Sequence, residues 1–205
     1  ESSNIVFFGG AGVSTESGIP DFRSTDGIYH QQYDYPPEEI LSHTFFLRNP
    51  GEFFRFYRAK MLCLDAKPNA AHRKLAQWEQ EGKLVFELHG SVLRNTCMRC
   101  GRFYDAQSIL RSEGVPHCDC GGIIKPDVVL YEEELDQRTL QGAVDVIADA
   151  DMLIVGGTSL AVYPAAGLVD FYAGNRLVLI NRDETPLDGR ADLVLHGKIG
   201  EIMAQ

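Results

Sequence analysis

Four cysteines carry the most specific chemistry in this 205-residue chain. Cys97 and Cys100 form a C-x2-C pair, and Cys118 and Cys120 form a C-x-C pair further on. Tetrahedral zinc takes four soft ligands, and two close pairs on adjacent turns can supply them. Gly101 follows the first pair, and Gly121 and Gly122 follow the second, which permits the tight turns such a knuckle needs. Four thiolates leave no open coordination position, so the expected Zn2+ is structural and not a hydrolytic centre. The leftover thiol, Cys63, makes the total odd, which fits a reducing compartment better than a disulfide framework.

A second constellation opens the chain. Residues 4–8 are mostly apolar and β-branched or aromatic, the pattern of a buried strand. They run into Gly9, Gly10 and Gly12, then Ser14, Thr15, Glu16 and Ser17. Strand, glycine turn and helix start is how α/β proteins hold a dinucleotide: bare backbone approaches the pyrophosphate and helix N–H groups face the anion. Asp21, Phe22 and Arg23, after the rigid turn at Pro20, add a carboxylate, an aromatic face and a guanidinium beside the same phosphate site. His89 is a third candidate. It follows an expected strand over residues 84–88 and precedes Gly90, and an imidazole at a strand's carboxyl end can take a proton near neutral pH. A structural histidine is the other reading of that pattern. His72, near the helix start at Pro68 and Asn69, reads as a structural hydrogen-bonding residue.

The elements that must position these groups alternate. Residues 27–37 read as an irregular loop, a candidate lid or a plain connection. Residues 38–64 read as helical, with Phe45, Phe46, Phe53, Phe54, Phe56 and Tyr57 packing a small helical layer. Another helix runs from Pro68 to near Gly82. Residues 123–131 are extended and apolar, interrupted by Pro126, and residues 135–150 are an amphipathic helix. Strands over residues 151–155, 176–180 and 192–195 each lead into a loop: Gly156 to Ser159, Asn181 to Thr185, and Gly197 before residues 199–203. Strands alternating with helices argue a parallel sheet with ligand at the carboxyl ends. The expected fold class is α/β, a Rossmann-like parallel sheet with a small helical plus zinc-ribbon module. The expected domains are a discontinuous nucleotide domain (residues 1–26, 84–92 and 125–205), an insertion (27–83) and a zinc module (93–124).

These motifs together resemble the sirtuins, NAD-dependent protein-lysine deacylases, in the compact form of bacterial and archaeal members. Residues 10–14 (GAGVS) and 18–24 (GIPDFRS) carry the resemblance first. Residues 86–90 (FELHG), just ahead of the C-x2-C, are similar to the segment that carries the catalytic histidine, which makes His89 the implied general base. On this likeness Gly10, Ala11, Gly12, Thr15, Asp21, Phe22, Arg23 and Tyr29 border NAD near its phosphates and nicotinamide ribose. Gly156, Thr158 and Ser159 belong to the loop for ribose and phosphate, Asn181 and Arg182 to the adenosine ribose, and Lys198 and Ile199 to the adenine. Val129, Leu130 and Tyr131 resemble the segment that pairs with a substrate peptide as an added strand, with Val162 beside it. The implied reaction starts with attack of the acyl-lysine carbonyl oxygen on C1′ of the nicotinamide ribose. Nicotinamide leaves, and free lysine and O-acetyl-ADP-ribose result.

The pattern departs from the family in two places. Sirtuins carry a strand ending in threonine, glutamine, asparagine, isoleucine or valine, and aspartate ahead of the histidine segment, whereas here Leu84 passes directly to Val85. A non-catalytic NAD or ADP-ribose-binding module is therefore an alternative expectation. Members that prefer succinyl-lysine or malonyl-lysine carry a tyrosine and an arginine three apart. Tyr57 and Lys60 fall in that region, and a lysine lacks the bidentate fork, so acetyl-lysine is favoured. Desuccinylation or mono-ADP-ribosyl transfer on the same site are the enzymatic alternatives.

Composition bounds the partners. Hydrophobic residues make up 44% and charged residues 23%, ordinary for a globular protein, and the net charge is −10. That charge disfavours a nucleic-acid backbone and suits lysine-rich peptide partners. No apolar run approaches the roughly 20 residues a membrane helix needs. The expectation is a cytoplasmic monomer acting on acetyl-lysine proteins or peptides, without nucleic acid or membrane.

Overall fold

Two sheets of different kinds organise the chain. The computed structural model describes residues 2–24, 26–30 and 33–204. In chain order the strands are β1 (Ile5–Gly9), β2 (Gly90–Cys97), β3 (Phe103–Asp105), β4 (Ile124–Val128), β5 (Met152–Gly156), β6 (Leu177–Asn181) and β7 (Leu193–His196). The α-helices are α1 (Pro37–Ile40), α2 (His43–Arg48), α3 (Pro50–Phe56), α4 (Ala70–Gln80), α5 (Ala106–Arg111), α6 (Gln137–Ala148) and α7 (Ile199–Met203). The chain divides into two units, the first of Glu1–His30, Asp65–Phe86 and Gln137–Gln205, the second of Gln31–Leu64 and Glu87–Asp136.

The first unit holds the parallel sheet, in the order β1-β5-β6-β7. Its register aligns Gly9 with Gly156, Gly156 with Ile180, and Asn181 with His196, so the carboxyl ends of all four strands lie along one border. The inner strands are apolar on both faces, with Leu153, Val155, Leu179 and Ile180 buried, as parallel strands covered by helices require. Val13, Ala71, Ile180 and Ile199 form a core cluster that joins the glycine turn, α4, β6 and α7, with Phe7, Ile154 and Leu195 packed around it. α4 begins with a capping box in which the Asn69 side chain accepts from the His72 N–H.

The second unit holds the antiparallel sheet β3-β2-β4 and the helical layer. Phe46, Phe53, Phe54 and Tyr57 are at most 1% exposed, and their rings meet edge-on or stacked at 5.0–6.0 Å. The aromatic run of residues 38–64 is thus core, as its density implied. α3 continues into a single π-helical turn, Tyr57–Met61. Arg58 reaches out of that turn to the Ile109 carbonyl at 2.9 Å and the Ser112 hydroxyl at 2.7 Å, which fastens it to α5.

The structure corrects three expectations. The glycine turn leads into a 3-10 helix, Ala11–Ser17, closed by Gly18 at φ 78°, and not into an α-helix. Residues 84–88 form no strand; they are an irregular connection in which Leu84 and Val85 are 75% and 57% exposed. β1 consequently bonds to β5 alone among the described residues, as an edge strand of the sheet. Pro126 interrupts nothing: it sits inside β4, opposite Asn95, where the β2–β4 register shifts. Gln31 and Gln32 of the loop over 27–37 lie outside the described residues.

Candidate active site

Two glycine loops at the carboxyl ends of β1 and β5 pack backbone against backbone. The Gly12 N–H donates to the Gly157 carbonyl at 2.8 Å, and the Gly10 N–H donates to the Gly156 carbonyl at 3.1 Å. A Cβ on Gly10 would lie 2.6 Å from the Thr158 Cβ, and one on Gly12 would lie 2.7 Å from the Gly157 carbonyl oxygen. Only glycine permits this approach, and Gly157 also takes φ 59°. Gly10 caps the 3-10 helix with no side chain, and the Gly12 and Val13 N–H groups of its first turn are taken by the Gly157 and Gly10 carbonyls. Thr15 turns its hydroxyl back onto the Gly12 carbonyl at 2.9 Å.

Asp21, Phe22, Arg23 and Tyr29 converge immediately after this helix. The Ile28 and Tyr29 N–H groups donate to the Asp21 and Phe22 carbonyls at 2.8 and 2.9 Å. The Asp21 carboxylate accepts from the Ser24 N–H at 2.8 Å. The Phe22 and Tyr29 rings meet edge-on at 5.7 Å, and the Arg23 guanidinium lies 5.0 Å from the Tyr29 ring centroid.

From β6, the buried Asn181 amide brackets residue 158: its Oδ1 accepts from the Thr158 N–H at 3.0 Å and its Nδ2 donates to the Thr158 carbonyl at 2.7 Å. Asn181 therefore shapes the second glycine loop. Ser159 is exposed and Val162 half-buried, both near the same loop. Arg182 is exposed and paired with Asp183, and Lys198 is paired with Glu201. Ile199 is buried in the core, where it packs against Gly156. The Glu16 carboxylate accepts from the Gly200 N–H and ties the glycine turn to α7.

The spacing of residues gave no sign of one partnership. His72 Nδ1 accepts from the Asn69 N–H at 3.3 Å, and its Nε2 lies 3.3 Å from the Ser14 hydroxyl oxygen. With Nδ1 an acceptor, the neutral ring carries its proton on Nε2 and donates to Ser14. Burial lowers the His72 pKa and favours that neutral form. His72 is a hydrogen-bonding residue as expected, but its partner belongs to the 3-10 helix that follows the glycine turn.

In the second unit, His89 sits in the turn that enters β2, so it precedes a strand instead of ending one. Gly90 takes φ 75°, and a Cβ there would run into the Asp127 carbonyl. The His89 carbonyl accepts from the Val129 N–H at 3.0 Å, which couples the histidine to the segment expected to receive a peptide. The ring is partly open to solvent, yet desolvation by the surrounding protein lowers its pKa. A histidine so placed is a neutral base at physiological pH. Val129 also lines a cavity of about 310 Å³ with Thr96, Met98, Lys125, Asp127 and Glu133. Leu130 is buried, and Tyr131 is bonded through its N–H and carbonyl to Leu41 and His43 at 3.0 and 2.9 Å.

The four cysteines come together beside the β2–β4 sheet. Their sulfurs all lie within 4.8 Å of one another, with Cys97 and Cys120 at 3.5 Å and Cys100 and Cys118 at 3.6 Å. Four sulfurs tetrahedral about zinc at 2.3 Å stand about 3.8 Å apart, so the donor set fits a closed zinc site. Gly101 and Gly121, at φ 72° and 80°, make the two knuckle turns. Gly122 passes so close that a Cβ would meet the Cys97 sulfur at 2.7 Å.

This combination has known relatives. Residues 10–86 and 82–164 match the model of the Sir2 family. A protein of Clostridium perfringens described as an NAD-dependent protein deacetylase is 54% identical over 227 residues, covering 100% of this chain and 93% of that protein. One of Cutibacterium acnes with the same description is 48% identical, covering 100% and 92%. A solved Sir2 mutant with deacetylated p53 peptide and 3′-O-acetyl ADP-ribose superposes with a TM-score of 0.89 at 37% identity, covering 99% of this chain and 92% of that one. Sir2Tm bound to a propionylated peptide gives a TM-score of 0.83 at 36% identity, covering 99% and 91%. The chain belongs to the Sir2 family. The 227 aligned positions exceed the 205 residues here, and the two family matches meet at residues 82–86, so the Clostridium protein carries residues without a counterpart in this chain.

Proposed function

We propose that this protein is an NAD-dependent protein-lysine deacetylase that works as a cytoplasmic monomer on acetyl-lysine proteins or peptides. The observation that carries the reading is similarity over the full chain to curated deacetylases, at up to 54% identity. The glycine cradle, the four thiols and the net charge of −10 agree with NAD, structural zinc and basic peptide partners in place of nucleic acid. No helix among the described residues is long and apolar enough to cross a membrane.

NAD, when bound, supplies an electrophilic ribose carbon and nicotinamide as leaving group. Gly10, Ala11, Gly12 and Thr15 border its phosphates, with Gly156, Thr158 and Ser159 opposite and Asn181 fixing their loop. Asp21, Phe22, Arg23 and Tyr29 form the wall beside the nicotinamide, and Arg182, Lys198 and Ile199 border the adenosine end. Val129, Leu130 and Tyr131 of the second unit receive the peptide. His89 takes a proton from a ribose hydroxyl, a role its lowered pKa suits. Cys97, Cys100, Cys118 and Cys120 would hold zinc as a closed structural site, with no open position for the chemistry.

The test is nicotinamide release from NAD with and without an acetyl-lysine peptide. Release that requires both supports the deacetylase. The short connection from α4 to β2 and the single partner of β1 favour a second reading, a nucleotide-binding module without turnover. That reading takes over if folded, zinc-loaded protein binds NAD and releases no nicotinamide.

A further inference from the structure

We propose that Glu132 is a positioning residue for the substrate peptide, its side chain clamping the one stretch of backbone beside Tyr131 that remains open to a partner. The inference rests on reading Val129, Leu130 and Tyr131 as the peptide edge. Glu132 has φ 73°, and only it and Leu160 take positive φ among the described non-glycine residues. Glycine adopts that conformation freely and an L side chain does so under strain, so the surroundings must hold it. The clamp is visible: the Glu132 Oε2 accepts from the Thr44 N–H at 2.8 Å, in the first turn of α2. Hydrogen bonds from the Thr44 side chain and N–H hold the carboxyl below the usual carboxylate range.

The backbone around it is already committed. The Val129 N–H serves the His89 carbonyl at 3.0 Å, the Leu130 N–H serves the Glu133 carboxylate at 2.9 Å, and the Tyr131 N–H serves the Leu41 carbonyl at 3.0 Å. The Glu133 N–H turns back to the Leu130 carbonyl at 3.0 Å, and the Glu133 carboxylate binds Lys125 at 3.1 Å and His43 at 2.9 Å. Of residues 129–133, only Glu132 keeps both its N–H and its carbonyl without a partner among the described residues. An added strand needs such a free pair, and an exposed loop offers it at useful affinity only when fixed beforehand. The glutamate side chain supplies that fixation, which a glycine at residue 132 would not.

The experiment measures steady-state kinetics of Glu132→Ala, Glu132→Gln and Glu132→Gly, together with amide hydrogen exchange of the wild type. Glu132→Ala keeps the strain and loses the clamp. It raises KM for the acetyl-lysine peptide about tenfold while kcat and the KM for NAD stay as they were. Glu132→Gln retains an acceptor oxygen and stays within about twofold of wild type, and Glu132→Gly falls between the two. In the wild type, saturating peptide slows exchange at the Glu132 amide. If the amide is protected but Glu132→Ala leaves the peptide KM unchanged, the positioning role is refuted and the peptide edge stands. If peptide leaves the amide unprotected, the peptide edge itself fails and the role of Glu132 with it.

Discussion

Gly12→Ala puts the glycine cradle to a quantitative test. The new Cβ would lie 2.7 Å from the Gly157 carbonyl oxygen and 2.9 Å from its carbonyl carbon, against 3.4 Å for ordinary contact. Both obstacles are backbone, so no side chain can swing away; the second loop must retreat by about 0.7 Å. That retreat overstretches the 2.8 Å bond from the Gly12 N–H to the Gly157 carbonyl. Overpacking costs about 1–3 kcal/mol and the weakened bond about 1 kcal/mol more. At about 2–4 °C per kcal/mol for a chain of this size, Tm falls by about 4–16 °C. NAD binding weakens at least about tenfold, because the moved carbonyl belongs to the cradle itself. Gly51→Ala is the control: it lies in α3 with nothing within 4 Å of the new Cβ, and helix propensity makes it neutral or stabilising by up to about 1 kcal/mol. Differential scanning fluorimetry and calorimetric NAD titration read both effects. A Gly12→Ala protein with wild-type Tm and wild-type NAD affinity would refute the claim that the loops touch through bare backbone.

Four further outcomes follow from the same geometry. His89→Ala should abolish formation of free lysine in steady-state turnover while one zinc per chain and a Tm within about 2 °C of wild type are retained; in the wild type, since desolvation lowers the His89 pKa, the acidic limb of the kcat/KM profile should lie below the ordinary histidine value of about 6.5. Stripping the metal with a strong chelator should lower Tm and unfold the β2–β4 sheet with a loss of several kcal/mol, followed by metal analysis and circular dichroism; metal-free protein with native Tm would exclude a structural zinc. A succinyl-lysine peptide should be turned over about a hundredfold less efficiently than its acetyl counterpart, because Tyr57 is 0% exposed and its hydroxyl is sealed in the aromatic core, out of reach of an acyl carboxylate; comparable kcat/KM on the two peptides would overturn this.

Much of the parallel sheet was legible because its strands are continuous apolar runs, three of them ending in glycine or asparagine, and β5, β6 and β7 each lie within a residue of their expected positions. The thiol cluster was legible from spacing alone. Residues 84–88 misled because five mostly apolar residues look like a strand wherever they stand, while pairing needs a neighbour that local sequence does not display. His89 was singled out by the resemblance of its segment; its hold on Val129 through a main-chain carbonyl leaves no trace in residue types. The Ser14–His72 contact spans 58 residues, and the bracket of Asn181 about Thr158 spans 23, so both depend on the completed sheet. Glu132 shows the same limit: its φ of 73° is invisible in a run of three glutamates that composition reads as a solvated face.

The single-sided bonding of β1 bears on how the protein behaves in bulk. Its five residues, IVFFG, contain no charge and no proline, and Ile5 is 41% exposed. Natural edge strands are usually blunted by a lysine, a bulge or a proline that acts as a gatekeeper against pairing with another molecule. β1 has none of these within it. Mutual repulsion between copies, each with a net charge of −10, is what opposes strand-to-strand stacking. Salt shortens the reach of that repulsion to about 10 Å at 0.1 M and about 3 Å at 1 M, so colloidal stability is set by ionic strength as much as by folding.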